Sequence, residues 1–145
     1  MQANFTAGAD TPKQICFFCD GDALQVLVAA RDLIHMGWKL VHHPLYGNYR
    51  PHQQPYRSIL LQREAENSGL SHEQNPTQDQ SLNPAYQCLA PDPASLQLIE
   101  AALDVYRADR VLNPQQVPDV MLRDCSQLDY ELMRLPLEQA GWEAA

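Results

Sequence analysis

The chain lacks the long apolar run and the arrayed cations that would place it in a membrane or on a nucleic acid. Its 145 residues are 45% hydrophobic and carry a formal net charge of −8. No stretch approaches the roughly 20 consecutive apolar residues that cross a bilayer. Residues 1–14 have neither the basic start nor the apolar centre of a secretory signal. From these two absences we expect a cytoplasmic protein that does not bind membranes. Because so acidic a chain offers few phosphate contacts, we also expect that it does not bind nucleic acid.

The sequence also lacks the signatures of common cofactor sites. Its few glycines form no Walker loop, dinucleotide pattern or nucleophile elbow. A metal site would need His52 and a carboxylate from Asp20 or Asp22 to converge with His42 or His43. Adjacent histidines on a strand face opposite sides of the sheet and do not chelate one ion. We therefore expect no cofactor and no metal.

Acidic residues are absent from residues 33–63, which hold four of the five histidines. Within this stretch lie residues 42–58, HHPLYGNYRPHQQPYRS, which we name the charged loop. Its three prolines fix φ and bias each preceding residue toward extended geometry, so the loop is predicted to be stiff. The cations of the acid-free stretch are Lys39, Arg50, Arg57 and Arg63. Four cations suffice for a small anion but not for a duplex.

Cys16 and Cys19 make a C-x-x-C pair, which in other proteins can be a redox or metal motif. Here the pair falls within residues 15–19, an apolar run predicted to be a buried strand, where the two thiols would point to opposite faces. Cys88 and Cys125 are too far apart to complete a zinc site. We therefore expect buried thiols that act as small apolar side chains.

The first half of the sequence predicts a strand, a helix and a second strand. After the strand at 15–19, apolar residues recur at helical spacing, with Asp20 or Asp22 as the cap and Gly37 as the stop. Residues 38–43 follow as a strand. Short joints between these elements favour a β-α-β unit with a parallel strand pair.

The rest of the sequence predicts a third strand and two helices. Residues 57–63 return antiparallel or cross over irregularly, and the antiparallel return is favoured. Residues 64–92 are a polar excursion, too poor in apolar residues to bury a core. Helices follow at 93–109 and 119–135. The predicted fold class is thus α/β, a small mixed sheet flanked by helices, as one domain over 15–145 after a loose arm at 1–14.

Two site hypotheses follow from this arrangement, since ligands of open α/β sheets lie at the carboxyl ends of the strands. In the first, arginine forks, loop amides and tyrosine rings bind a small carboxylate or phosphate. The candidate ligand-binding residues are Asp20, Asp22, His43, Gly47, Asn48, Arg50, Tyr56, Arg57 and Ser58. The alternative is that the tyrosines and arginines only brace the loop, with the arginines paired to the acidic excursion.

A catalytic hypothesis is the second. His43 could act as general acid or base beside Ser58, Tyr56 and Asp22, which would make the chain a small hydrolase or transferase. Without a recognised nucleophile motif we favour an accessory or binding protein over an enzyme.

Residues 31–60, RDLIHMGWKLVHHPLYGNYRPHQQPYRSIL, resemble the central block of the GrdX family, small proteins encoded with glycine reductase components of amino-acid-fermenting bacteria. The shared pattern is an R-D-L-I-H-x-G helix end, H-P-L, a glycine, a proline, then P-Y-x-S. SLQLIEAALDVY and DCSQLDYELM resemble the later helix and the acidic closing segment, with Asp124 and Asp129. The C-x-x-C pair is not part of this pattern. The resemblance implies a link to glycine reductase metabolism and no established activity.

We also expect a protein partner or a homodimer. The acidic surface outside the charged loop suits a basic partner or self-association. Association through helix faces would bury Trp38, Tyr106 or Trp142, large anchors of the kind that dominate interfaces.

Overall fold

The structure, a computed structural model, describes residues 16–63 and 90–142. These residues form three helices and one small antiparallel sheet. The helices are α1 (Ala23–His35), α2 (Pro93–Ala108) and α3 (Asp119–Gln139), and the strands are β1 (Lys39–Leu40) and β2 (Leu61–Gln62). The predicted arm at 1–14 and residues 64–89 of the predicted excursion lie outside the described residues. The domain limits therefore stay predictions.

The helix α1 is confirmed, and its ends follow from the residues that flank it. The Asp22 carboxylate accepts a hydrogen bond from the Gln25 N–H at 3.0 Å, and the Gln25 side chain accepts one from the Asp22 N–H at 3.2 Å. This reciprocal capping box satisfies two otherwise unpaired donors. Gly37, at φ +91°, stands just past the helix end, where a left-handed residue is favoured.

The core lies between α1 and α2, whose apolar faces meet. From α1 the buried residues are Ala23, Leu27, Ala30 and Ile34, and from α2 they are Ile99, Ala102, Leu103 and Tyr106. Each large side chain buried here stabilises the fold by about 1.5–3 kcal/mol. Tyr106 is only 1% exposed, so the prediction that it could anchor an interface with another chain is wrong.

The start of α2 is joined to β1. Asp92 caps α2 by accepting the Ser95 N–H at 2.8 Å, and Pro93 occupies the first turn, as predicted. The buried hydroxyl of Ser95 accepts the Leu40 N–H at 2.9 Å. One edge of the sheet is thereby attached to the helix.

The two strands pair antiparallel, Lys39 with Gln62 and Leu40 with Leu61. The antiparallel return favoured from the sequence is therefore present, and a further bond from the Val41 N–H to the Leu60 carbonyl, at 3.0 Å, extends it. The regular strands are only two residues long, whereas six and seven residues were predicted at 38–43 and 57–63. The ladder is short because the chain turns away into the charged loop.

The first predicted strand does not form over the residues that the structure describes. Residues 16–20 lie outside any strand, and Phe17 and Phe18 are 69% and 87% exposed. The prediction of a buried strand at 15–19 is wrong there, and the β-α-β start is not confirmed. The ladder joins β1 only to β2, so this apolar segment has no neighbouring strand, and an apolar run needs one to become a strand.

The last helix, α3, packs against the charged loop. Its start agrees with the predicted helix at 119–135, but it continues through Pro136. Proline in the last turn removes one donor, and the helix goes on because the Pro136 carbonyl still accepts the Ala140 N–H at 3.0 Å. Asp129 and Met133, one turn apart, are the buried residues of α3.

Candidate functional site

Three prolines hold the charged loop against the body of the protein. Pro44, Pro51 and Pro55 are fully buried, so the residues predicted to stiffen the loop also attach it. Between the first two lies a short 3-10 turn at Tyr46–Asn48, where Gly47 has φ +75° and Asn48 has φ +54°. These left-handed conformations suit glycine and asparagine. The loop is thus built from sharp, locally specified turns.

Gly47 also lies where the loop meets α3. A Cβ added at this position would lie 2.7 Å from Cδ1 of Leu132, closer than two carbon atoms approach each other. The backbone conformation and the approach of α3 therefore both require glycine.

Arg57 joins the charged loop to α2 through its buried side chain. Its side chain is 5% exposed. Nη1 donates to the Tyr46 carbonyl at 2.9 Å, while Nε and Nη2 donate to the Tyr106 hydroxyl at 3.2 and 3.0 Å. The guanidinium also lies 4.9 Å from the centre of the Tyr46 ring, a cation–π distance. Arg57 therefore braces the loop, as the bracing hypothesis predicted, but through neutral partners.

Asp129 joins the loop to α3. Its carboxylate accepts hydrogen bonds from the Tyr46 hydroxyl and, at 2.6 Å, from the Ser58 hydroxyl. The Tyr46 hydroxyl accepts the Ser58 N–H at 2.9 Å in turn. Burial, reinforced by the Asp129 charge, raises the pKa of Tyr46 above its ordinary value. We call Tyr46, Arg57, Ser58, Tyr106 and Asp129 the Asp129 network.

Sequence reasoning named Arg57 and Ser58 as site residues, whereas it named Asp129 only as part of the family resemblance and not as a site residue. One signal was available: Asp129 falls at helical spacing with Leu122 and Met133, so a carboxylate stands on the face of α3 that packs inward. An acidic residue on such a face needs a partner. The sequence could not show which residue is the partner of Asp129, since Tyr46 is 83 residues away along the chain.

His42 packs beside the Asp129 network without joining it. Its ring centre lies 5.0 Å from that of Tyr46, and both ring nitrogens are buried without a hydrogen-bond partner among the described residues. Burial, together with the charges of Arg57 and His43, lowers the pKa of His42 from 6.5 to about 4, against the opposing influence of Asp129 and the Ser58 backbone. The ring is therefore neutral at neutral pH.

His43, the candidate acid/base residue, is exposed. Its Nδ1 accepts the Leu45 N–H at 3.1 Å. A neutral imidazole whose Nδ1 accepts carries its proton on Nε2. His43 therefore offers a donor, and not a basic nitrogen, to whatever approaches its exposed edge.

The other predicted site residues are spread around the loop and α1. The Arg50 side chain is exposed, and its backbone N–H donates to the Gln53 side chain at 2.9 Å. Asp109 nearby accepts from the Arg110 N–H, which is the main reason that its pKa is lowered; its contact with His52 at 3.2 Å and the charge of Arg50 contribute further. Arg50 thus lies on the surface beside the His52–Asp109 pair.

The Asp22 carboxylate caps α1, and Asp20 is exposed. Tyr56 is half-buried, and its N–H lies 3.4 Å from the Gln54 side-chain oxygen. The structure thus unites Arg57 and Ser58 in one network, and the described contacts of the remaining candidates lie elsewhere. The assignment of all nine residues to a ligand stays a prediction. Within residues 16–63 and 90–142, no group of three His, Cys, Asp or Glu side chains is arranged to hold a metal ion.

Comparisons with known proteins gave one result. A family model described as GrdX-like protein matches residues 4–85, which is more than half of the 145-residue chain. Neither the curated proteins nor the solved structures yielded a match. In the described part of the chain, no helix combines the length and apolarity needed to cross a bilayer.

Proposed function

The chain belongs to the GrdX-like family, and from that membership and the braced loop we propose that it is an accessory protein that binds a small carboxylate or phosphate at the charged loop. The observation that carries the proposal is the buried Arg57, which fixes the loop to α2 through Tyr106, while Arg50 and His43 of the same loop are exposed. A loop positioned by a rigid scaffold is the usual place for a binding site. Because such a loop is already ordered, little conformational entropy is lost on binding.

The exposed groups of the loop are mainly donors. Arg50 presents a planar fork suited to carboxylate or phosphate, and the proton on Nε2 of His43 adds a hydrogen bond of the same polarity. Residues 33–63 contain no acidic residue that would repel an anion, although Asp109 approaches from α2. These features favour an anion over a cation.

The alternative, a small hydrolase or transferase that uses His43 as general acid or base, is less well supported. A general base needs a free lone pair directed at the substrate. In His43 the Nδ1 lone pair is occupied by the Leu45 N–H. With Nδ1 occupied, only Nε2 of His43 is left to contact a ligand, where it serves as a hydrogen-bond donor.

The binding proposal is tested with Arg50→Gln, using Arg63→Gln as the matched control because Arg63 is another exposed arginine of the acid-free stretch. Carboxylated and phosphorylated metabolites are screened by thermal shift, and each hit is measured by calorimetry. Loss of a hydrogen bond to a charged group costs about 1.5–3 kcal/mol, so we expect affinity to fall roughly 10- to 100-fold in Arg50→Gln. Arg63→Gln should change it less than twofold. Equal losses in both variants, or no hit in the screen, would contradict the proposal.

The accessory role in glycine reductase metabolism rests on the family alone and has its own test. Light scattering of the purified chain, alone and mixed with glycine reductase components, measures both self-association and complex formation. A strictly monomeric mass with no new species on mixing would exclude the homodimer and the accessory-subunit role together.

A further inference from the structure

The C-x-x-C pair is more accessible than the sequence suggested. Cys16 is exposed, Cys19 is half-buried, and both thiols are free. The expectation of a buried thiol is therefore wrong for Cys16. Cys125, also free and half-buried, differs in its surroundings, since burial and the Asp124 charge raise the pKa of its thiol. A raised pKa reduces the thiolate that reacts, which makes Cys125 an internal reference.

The backbone between Cys16 and Cys19 is not constrained by a sheet. In a strand the two side chains would point to opposite faces, but residues 16–20 belong to no strand or helix. Among the described residues, hydrogen bonding in this region begins at Asp22, with the capping box of α1. A disulfide needs Cα atoms about 4.4–6.8 Å apart, a distance that a four-residue turn supplies. Such a turn can form ahead of Asp22 without disturbing α1.

We propose that Cys16 and Cys19 are a redox-active dithiol that closes to an intramolecular disulfide by exchange with low-molecular-weight disulfides. The Cys16 thiolate, the more exposed of the two, attacks one sulfur of the small disulfide. A mixed disulfide forms on Cys16 as the sulfur–sulfur bond of the small disulfide breaks, and the first small thiol leaves with a proton. The Cys19 thiolate then attacks Cys16 in the mixed disulfide and releases the second small thiol. The protein loses two electrons and the small disulfide gains them.

This site is independent of the charged loop, which contains no cysteine. A redox change at residues 16–19 would therefore act through the segment ahead of α1, where Phe17 and Phe18 are exposed. Closing the ring would reorient these two phenylalanines, which lie between the linked sulfurs.

The test uses the full chain, equilibrated with mixtures of glutathione and glutathione disulfide, quenched with acid and alkylated with maleimide. Mass spectrometry with peptide mapping should show two of the four cysteines protected and linked as Cys16–Cys19. Cys125→Ser should behave identically. In Cys19→Ser the exchange should stop at a glutathione adduct on Cys16, because the resolving thiol is gone. Far-UV circular dichroism of each variant confirms that the helices are retained.

Two outcomes would overturn the proposal. In one, Cys16 and Cys19 both remain alkylated in the most oxidising mixture. In the other, either of them is linked to Cys88 or Cys125, or the Cys16–Cys19 bond forms only after the chain is unfolded in urea.

Discussion

Replacing His42 with phenylalanine should change how the free energy of unfolding depends on pH. In the folded protein the pKa of His42 falls from 6.5 to about 4, chiefly because the ring is buried, and then because Arg57 lies nearby. Below pH 6.5 His42 is therefore protonated in the unfolded chain, while it stays neutral in the folded protein until the pH approaches 4. Stability is lost as the pH falls from about 6.5 toward 4, and this loss ends once the folded ring also becomes protonated.

The magnitude follows from the two pKa values. At about 1.36 kcal/mol for each tenfold change in proton affinity, the full difference corresponds to roughly 3 kcal/mol, of which roughly 2 kcal/mol is lost by pH 5. The ring is only partly buried, so solvent screens its charge and we expect about half of this. The wild type should then lose about 1 kcal/mol through His42 between pH 7.5 and 5.

Phenylalanine keeps the aromatic packing on Tyr46 and removes both unpartnered nitrogens. An unpaired buried polar group costs about 1–3 kcal/mol, so His42→Phe should be at least as stable as the wild type at pH 7.5. Its advantage should grow by about 1 kcal/mol at pH 5.

Urea unfolding followed by far-UV circular dichroism at several pH values measures these differences. His35→Gln is the control, since His35 is an exposed histidine that is not among the groups that shift the pKa of His42, so the pH dependence assigned to His42 should persist in this variant. Parallel profiles for the wild type and His42→Phe would refute the assignment of a lowered pKa to His42.

Two further pairs of substitutions test the contacts of α3. Asp129→Ala removes the acceptor of two hydroxyl donors and should lower the free energy of unfolding by about 2–4 kcal/mol, whereas Asp124→Ala, at an exposed position on the same helix, should change it by less than about 0.5 kcal/mol in the same urea titration. Gly47→Ala and Gly141→Ala both place a side chain at positive φ, but only the first meets Leu132. Thermal or urea unfolding should show a loss of about 1 kcal/mol for Gly141→Ala and about 2–3 kcal/mol for Gly47→Ala, and equal losses would exclude a tight approach of α3.

The helices were predictable because the information that specifies them is local. Apolar spacing, an aspartate cap at Asp22 or Asp92 and a glycine stop at Gly37 all lie within the segment that they define. Strands depend instead on a neighbour. The run at 15–19 has strand composition but no partner strand in the described fold, so its composition misled.

The candidate site was predictable only in part for the same reason. The concentration of cations and prolines identified the loop, including Arg57 and Ser58. What these residues bind depends on Tyr106 and Asp129, which lie 49 and 71 residues further along the chain. Sequence spacing therefore could not distinguish a buried brace such as Arg57 from an exposed arginine such as Arg50.

The position of the core affects where this chain can be truncated without loss of the fold. The family match ends at residue 85, whereas α2, which covers the apolar face of α1, begins at Pro93. A recombinant piece confined to the matched region would leave Leu27 and Ile34 in water and would deprive Tyr46 of its acceptor on α3. In this chain the residues matched by the family model therefore do not include α2, which supplies half of the buried core. Expression, crystallisation and domain-fusion work should carry the chain through the end of α3.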